Sequence, residues 1–589
     1  MRQRKYSPIL IFYMLTLVLI VGCKQGNHEK ENFRRPNVIL IMTDDQGYGD
    51  LSCHGNTIIK TPNIDRLYNE AIRFTDFHVS PFCTPTRSAL MTGRYPARNG
   101  AYRTSSGRTM MHVHEKTVAN VFASNGYKTG MVGKWHLGDN APHRPQDRGF
   151  QYTVWHKCGG VGQASDYWGN DYFDDVYEKN GELQQFEGYC TDVWFEEAIK
   201  FIETDKDGPF FLYLATNAPH GPYIVSEEWS TPYEERVDWR KGPEFYGMIA
   251  NLDYNLGIFR EKLDKLGIAD NTILIFMTDN GTANGGKFDG LHSEAITGYN
   301  AGMRGKKSSM FEGGHRVPFF IYWPDGAMKG GRDIESLTAH IDVLPTLVDL
   351  CGLSTSDSLE LDGISFKPQI EGALNDNARN HLVAQLHGGA YFKNKPKKWQ
   401  ESCVLTDKWR LINGKELYDI QKDPSQREDV SGDNPNKVKE LRSVYNAYWK
   451  SVSPGMKPVL IDLGNPAENP TTLCSQDWYL PYGNPPWNFR TISKLPKETG
   501  PWKVNIKTPG KYRITLRQFP KEADNIVEAV RAKIQISGIV QEKFVEPGSK
   551  GVVFEIELPT GPSELVTYLY NDEGVAGGAY FTEVEALSL

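Results

Sequence analysis

Four long apolar runs in the first part of the chain stop abruptly, three at polar residues and one at a proline. NVILIMTDD (37–45) ends in two carboxylates, PFFLYLATNAPH (209–220) in His220, TILIFMTDNG (272–281) near Asp279 and Asn280, and VPFFIYWP (317–324) in a proline. Unbroken runs of this kind belong to strands buried on both faces, and they predict a parallel sheet whose C-terminal edge carries the acids. Apolar residues spaced by three and four fill the intervals: 62–74 behind a Thr61 cap, 116–125, 192–203 and 245–266 all read as helices. Alternating strand and helix predict an α/β fold over 36–362, a three-layer sandwich around a central, mostly parallel sheet.

The pattern then changes twice. From 363 to 454, short strands around CVLTDKWRLI (403–412) and a helix at 435–450 predict a smaller α+β subdomain. Beyond a linker rich in Pro, Asn and Gly, the runs at 502–519, 533–538, 551–571 and 579–587 alternate apolar and polar residues between Pro-Gly turns. They predict an appended antiparallel β-sandwich within 455–589.

Composition narrows the reading. With 589 residues, 39% of them apolar and 24% charged, the chain is too long for one simple domain. A net charge of −7 over this length leaves no basic footprint and argues against nucleic acid as a partner. At the N-terminus, Arg2, Arg4 and Lys5 precede an apolar run from Ile9 to Val21 that suits a signal-peptide core better than a membrane span. Ile20-Val21-Gly22-Cys23 then resembles a bacterial lipobox: 1–22 would be removed, Cys23 acylated, and 24–35 left as a polar tether. That predicts a lipid-anchored protein of the bacterial cell envelope, on the outer membrane and facing the periplasm or the cell surface; plain secretion is the alternative. The other seven cysteines are scattered, without the CxxC spacing of a zinc site.

Polar residues at the C-terminal ends of several strands are where open α/β sheets hold ligands, so Asp44, Asp45, His220, Asp279 and Asn280 are candidates for one centre. Asp44, Asp45, Asp279 and Asn280 offer oxygen only, the donor set that Ca²⁺ takes most readily among hard cations. One Asp after a strand usually caps a turn, but two such clusters favour a metal. Cys83, in HVSPFCTPTRSALMTGRYP (78–96), precedes Pro85, which suits the first turn of a helix running to Arg94. Cys83 therefore falls near a helix N-terminus, where anions are favoured, with Arg87 close by. By default a lone cysteine is a buried thiol or half a disulfide. GKWHLG (133–138) offers Lys134 and His136, which strand alternation would point to one face. RGKKSSMFEGGHRVP (304–318) brings Lys306 or Lys307 on a glycine-bounded loop, with His315 and Arg316 bracing its turn.

PNVILIMTDDQGYGD, CTPTRSALMTGR, GKWHLG, APHGP, MTDNG and RGKKSSMFEGGHRVP, in this order, resemble the type I sulfatases of the alkaline-phosphatase-like superfamily over 36–450. In that family the residue matching Cys83 is oxidised to Cα-formylglycine by a formylglycine-generating enzyme, which accounts for a cysteine set before Pro and Arg in an exported chain. The resemblance implies Asp44, Asp45, Asp279 and Asn280 as Ca²⁺ ligands, with the modified Cys83 touching the ion. It makes Arg87 the brace of the formylglycine, places Lys134 and Lys307 on sulfate oxygens, and gives proton transfer to His136 and His220. Thr86 stands where the family usually has Ser and keeps the hydroxyl. Lys307 is chosen over Lys306 by counting back from Glu312, because RGKK replaces a commoner Gly-Gly-Lys.

The implied activity is hydrolysis of sulfate esters on sulfated carbohydrates, since a lipid-anchored sulfatase with an appended sandwich resembles the polysaccharide sulfatases of Bacteroidetes. Ulvan, carrageenan and glycosaminoglycans are the substrates in view. A phosphonate monoester or phosphodiester hydrolase of the same superfamily is the rival enzyme, and a catalytically dead carbohydrate-binding lipoprotein the rival of another class. HKCGGVGQASDYWGNDYFDD (156–175) either lines a sugar subsite with its aromatic rings or is a packed surface loop. Because every matched motif ends before residue 455, the sandwich is expected to hold no catalytic group and to be dispensable for small aryl sulfates.

Overall fold

The run Asn37–Thr43 lies in the middle of a ten-stranded sheet, and all seven of its side chains are buried. The structure, a computed structural model, describes residues 34–104, 109–205, 208–326, 328–356, 359–373, 378–387 and 396–588. The expected leader, Cys23 and nearly all of the tether lie outside them. No helix among the described residues is long and apolar enough to cross a membrane.

Five strands form the parallel centre of the sheet, in the order Thr272–Thr278, Asn37–Thr43, Phe210–Ala215, Lys128–Lys134 and Tyr152–His156. Phe319–Tyr322 joins one side antiparallel, and Val176–Lys179 the other. Alternate residues feed two cores. Leu40, Met42, Tyr213 and Ile275 pack on one face against Leu90, Met91 and Leu344, while Ile39, Ile41, Leu212 and Phe276 pack on the other against Trp194, Leu252 and Phe259. That arrangement is the expected α/β sandwich with helices on both faces.

One predicted helix ends early. The 62–74 pattern is helical only over Pro62–Glu70, and Ile72–Phe74 turns into a strand between Phe319–Tyr322 and Arg332–Ile334. Ile72 and Phe74 fit a helical period and a strand period equally, and the open edge of the sheet decides between them. The other three predicted helices occur as Val118–Ser124, Cys190–Asp205 and Gly242–Lys265.

Leu382–Gln385, Ser402–Leu405, Trp409–Ile412 and Glu416–Asp419 form a four-stranded antiparallel sheet beneath the helix Pro435–Val452. The C-terminal part has two sheets around one core that includes Leu463, Trp502, Ile534, Phe554 and Val584. Its strands are antiparallel except where Ile461–Leu463 pairs parallel with Trp502–Ile506. Pro36 to the C-terminus is one compact unit.

A buried cation ties the smaller subdomain to the core. Arg410 donates from Nε to Glu312 Oε1 at 2.7 Å and from a terminal nitrogen to Asp76 Oδ1 at 3.0 Å, which also meets His78 Nε2 at 2.8 Å. Burial raises both carboxylates, but Arg410 and His78 outweigh it and hold Asp76 and Glu312 below the usual range. Arg410→Met leaves two buried carboxylates without their cation and is expected to cost about 3–5 kcal/mol. Arg427→Met, which breaks only an exposed pair with Glu294, is expected to change stability little. Urea unfolding of both variants checks the contrast; equal losses would contradict it.

Candidate active site

Neighbouring strands of the parallel centre end level, and this brings the predicted acids together. Met42 pairs with Ala215 and with Met277, and Thr43 with Thr278, so the residues that follow leave the sheet side by side. Backbone bonds then lock the exits: Asp279 N–H donates to the Thr43 carbonyl at 3.1 Å, Asp44 N–H to the Ala218 carbonyl at 3.0 Å, and Asp45 N–H to Asp279 Oδ1 at 3.0 Å. Carboxylate oxygens of Asp44, Asp45 and Asp279 lie within 4.8 Å of one another, fully buried.

Each of these acids has a cation. Lys134 Nζ is 2.5 Å from Asp44 Oδ2, Lys307 Nζ 2.6 Å from Asp45 Oδ1, and Arg87 bonds Asp279 Oδ2 through two nitrogens at 3.2 and 2.8 Å. Burial and the charge of Asp279 still raise Asp44 well above an ordinary carboxyl. Burial also raises Asp45 and Asp279, but Lys307 and Arg87 respectively outweigh it and hold them low. Arg87, expected to brace the modified Cys83, thus spends its Nε and one terminal nitrogen on Asp279; the other donates to the Lys134 carbonyl at 3.1 Å and the Tyr213 hydroxyl at 3.3 Å.

The cluster fits a divalent cation. Asp44 Oδ1 and Asn280 Oδ1 are buried and accept no hydrogen bond, while the Asn280 amide nitrogen is fixed on Asp45 Oδ1 at 2.9 Å. Unmet oxygens beside like carboxylates are what an oxygen-seeking ion such as Ca²⁺ would satisfy. A second group, His78, Glu312 and His315, also brings ligand atoms together. There Arg410 reaches within 3.3 Å of His78 Nε2, so a metal would meet a fixed positive charge.

Cys83 opens the helix Cys83–Thr92, two residues before the predicted Pro85, and is buried. Burial raises its thiol above the ordinary value, although Lys134 and Lys307 pull it down. The Thr86 hydroxyl donates to the Ser80 carbonyl at 2.8 Å, holding the turn before the helix. Lys134 is the last residue of its strand, and His136 lies beyond it with φ 59°, so the alternation that would pair them on one strand face stops at Trp135. His220 is partly exposed, with Nε2 3.7 Å from Asp45 Oδ2 and Nδ1 2.7 Å from the Gly221 carbonyl. Burial pushes His220 down to about 3, against the attraction of Asp45. Lys306 lies over the Phe288 ring, whereas Lys307 is held by Asp45.

Residues 36–353 match the family described as Sulfatase, and 304–447 match the N-sulphoglucosamine sulphohydrolase C-terminal family. The chain belongs to the sulfatase family. It is 30% identical over 502 residues to the N-acetylgalactosamine-6-O-sulfatase of Bacteroides thetaiotaomicron, spanning 72% of this chain and 96% of that one. Arylsulfatase G of Rattus norvegicus is 30% identical over 378 residues, 57% of this chain and 69% of its own. Among solved structures, Ps i-CgsB in complex with k-i-k-neocarrahexaose superposes with a TM-score of 0.62 at 29% identity, covering 72% of this chain and 94% of that one. The sulfatase is accordingly a sulfuric ester hydrolase of the arylsulfatase-like kind.

Several residues of the site escape the motif reading. Tyr213 sits inside a strand run and shows its role only through Arg87; the Tyr172 hydroxyl donates to the His220 carbonyl at 3.1 Å. The rings of 156–175 mostly pack: Trp168 meets Phe489 tilted and Phe519 edge-on, and Tyr172 is buried. What this segment brings to the site is Gly159 and Gly160. A Cβ on Gly159 would lie 2.5 Å from His136 Nε2, and one on Gly160 3.4 Å from His220 Nδ1. The glycine pair was visible in the sequence, but its neighbours were not.

The two lysines of RGKK give a sharp contrast for this sulfatase. Lys307→Ala is expected to lower turnover of a small aryl sulfate about 10²–10³-fold by removing a preorganised cation. Lys306→Ala is expected to leave it within about twofold, as a substitution away from the site. Steady-state rates of the two variants check this, and the reverse order would contradict the assignment of Lys307.

Proposed function

We propose that this sulfatase removes sulfate from sulfated polysaccharides or their oligosaccharides, with Cys83 oxidised to Cα-formylglycine and Ca²⁺ held by Asp44, Asp45, Asp279 and Asn280. The observation that carries the reading is the placement of Cys83. It is a buried thiol at a helix N-terminus, raised above its ordinary value by burial and set within the field of Lys134, Lys307, Asp279 and Asp44. Such a thiol is a poor nucleophile, so a converted side chain suits the position better than the cysteine itself. The relatives named N-acetylgalactosamine-6-O-sulfatase and N-acetylglucosamine-6-O-sulfatase, and the structural neighbour holding a neocarrahexaose, support a carbohydrate substrate. Algal polymers such as ulvan or carrageenan and glycosaminoglycans remain the candidates.

A hydrated formylglycine supplies one hydroxyl to attack sulfur and a second through which sulfate is later expelled as the aldehyde reforms. Ca²⁺ held by Asp44, Asp45, Asp279 and Asn280 would supply positive charge that favours the attacking hydroxyl. The chain's own residues do the rest. Lys134 and Lys307 meet the sulfuryl oxygens, and Arg87 keeps Asp279 ionised and in place. His220 protonates the leaving sugar oxygen from Nε2, since Nδ1 is committed to the Gly221 carbonyl. Burial favours its neutral form at rest, so the proton it takes up and delivers is balanced by the one the attacking hydroxyl gives up, and water rehydrates the aldehyde at the end of the cycle. His136 removes the proton of the second hydroxyl. We also propose that Cys23 is acylated and tethers the enzyme to the outer membrane, facing the periplasm or the cell surface, and that a formylglycine-generating enzyme is its maturation partner.

Protein made with such an enzyme is expected to yield a peptide spanning Thr75–Arg87 that is lighter than its unmodified form and reacts with aldehyde-directed hydrazides. Turnover of aryl sulfate should follow the modified fraction, and Cys83→Ala should abolish it. A fully unmodified preparation of equal activity would refute the mechanism. Faster turnover of phosphodiesters than of any sulfate ester would favour the phosphodiesterase reading instead.

A further inference from the structure

The module that follows residue 455 lies beyond both family matches, yet it is wired to the two active-site histidines. Its segment 487–489 runs antiparallel to 162–164: Ala164 N–H donates to the Trp487 carbonyl at 2.9 Å, Phe489 N–H donates to the Gly162 carbonyl at 3.3 Å, and Gln163 faces Asn488. Trp168, at the far end of the same loop, packs its ring against Phe489 at 4.4 Å. The loop is thus held at its middle and its end by the C-terminal module.

Gln163 passes that restraint inward. It is buried, and its Oε1 accepts the Gly159 N–H at 3.1 Å and lies 3.3 Å from the Cys158 sulfur, whose thiol has its nearer acceptor in Gln476 of the C-terminal module. Gly159 is closed in on both sides, and Gly160 on the Gln163 side. A Cβ on Gly159 would lie 3.0 Å from Gln163 Oε1 and 2.5 Å from His136; one on Gly160 would lie 2.8 Å from Gln163 Nε2 and 3.4 Å from His220. Gly159 has no room for a side chain between the amide and the His136 ring, and Gly160 meets His220 at ordinary contact distance, so a shift of Gln163 is transmitted to a glycine strip that lies against both rings.

From this geometry we infer that Gln163 is a positioning residue for His136 and His220, and that the C-terminal module, through 487–489, is a working part of the catalytic site. The module is then not dispensable for small substrates, which replaces the expectation drawn from motif positions. The inference rests on the proposed proton-transfer roles of the two histidines for its kinetic consequence, but not for its structural one.

Full-length, formylglycine-loaded Gln163→Leu, Gln163→Glu and Phe489→Ala test it on a small aryl sulfate. Misplacing a proton carrier by about 1 Å costs on the order of 10²-fold, so Gln163→Leu is expected to lower kcat about 10–100-fold with KM changed less than about threefold. Gln163→Glu keeps the acceptor for the Gly159 N–H and should recover most of the rate. Phe489→Ala should lower kcat in the same sense, though it touches no substrate. Wild-type kcat in Gln163→Leu, or equal loss in the Leu and Glu variants, would overturn the inference. Crystal structures of wild type and Gln163→Leu give a readout independent of turnover: displaced His136 and His220 rings are expected, and unmoved rings would overturn it. Were the wild type inert on every sulfate ester, the proposed function would fail while this structural arm still decided the positioning role.

Discussion

Three carboxylates buried side by side at the ends of adjacent strands must be met by positive charge, and much of the site follows from that demand. Asp44 and Asp45 leave one strand and Asp279 leaves its neighbour, in register. The cations come from elsewhere: Arg87 from the helix behind Cys83, Lys134 from the end of another strand, and Lys307 from the loop before Glu312. One local requirement thus seats a helix, a strand and a loop. It also sets the chemistry. Lys134, Lys307 and Arg87 offset the three acids, and a divalent cation bound there would give the pocket the positive character that a sulfuryl group needs.

The same economy of buried charge joins the smaller subdomain. Arg410 crosses from its sheet to Asp76 and Glu312, which lie a few residues before Cys83 and after Lys307. The sandwich uses a different physics at its own junction, with main-chain bonds to 162–164 and ring packing on Trp168. Both attachments reach segments that carry active-site residues, so the catalytic centre is braced from two sides by parts of the chain outside the parallel sheet.

The alternation of runs and helices made the α/β centre legible, because a strand buried on both faces leaves an unbroken apolar signature such as 37–43. The acids at its end, Cys83 before Pro85, and the lysine loop were legible as motifs for the same reason: each is local. What tertiary packing decides was not. Ile72 and Phe74 suited a helix until the open sheet edge claimed them, and His136 left the strand whose alternation seemed to govern it. Arg87 could not be matched to Asp279, nor Gly159 to His136, across such separations in sequence. The aromatic residues of 156–175 suggested a sugar platform, but Trp168 and Tyr172 went into packing, and it is Gly159 and Gly160, earlier in the segment, that lie against the two histidines.

The claim on which the account turns is that the Asp44, Asp45, Asp279 and Asn280 oxygens form one cation site between the three bases. Anomalous diffraction from crystals of the mature protein grown with Ca²⁺ measures this directly. The account predicts a single strong peak among those four side chains, in contact with the modified residue 83. An empty cluster at saturating Ca²⁺, with the only peaks elsewhere on the molecule, would contradict it.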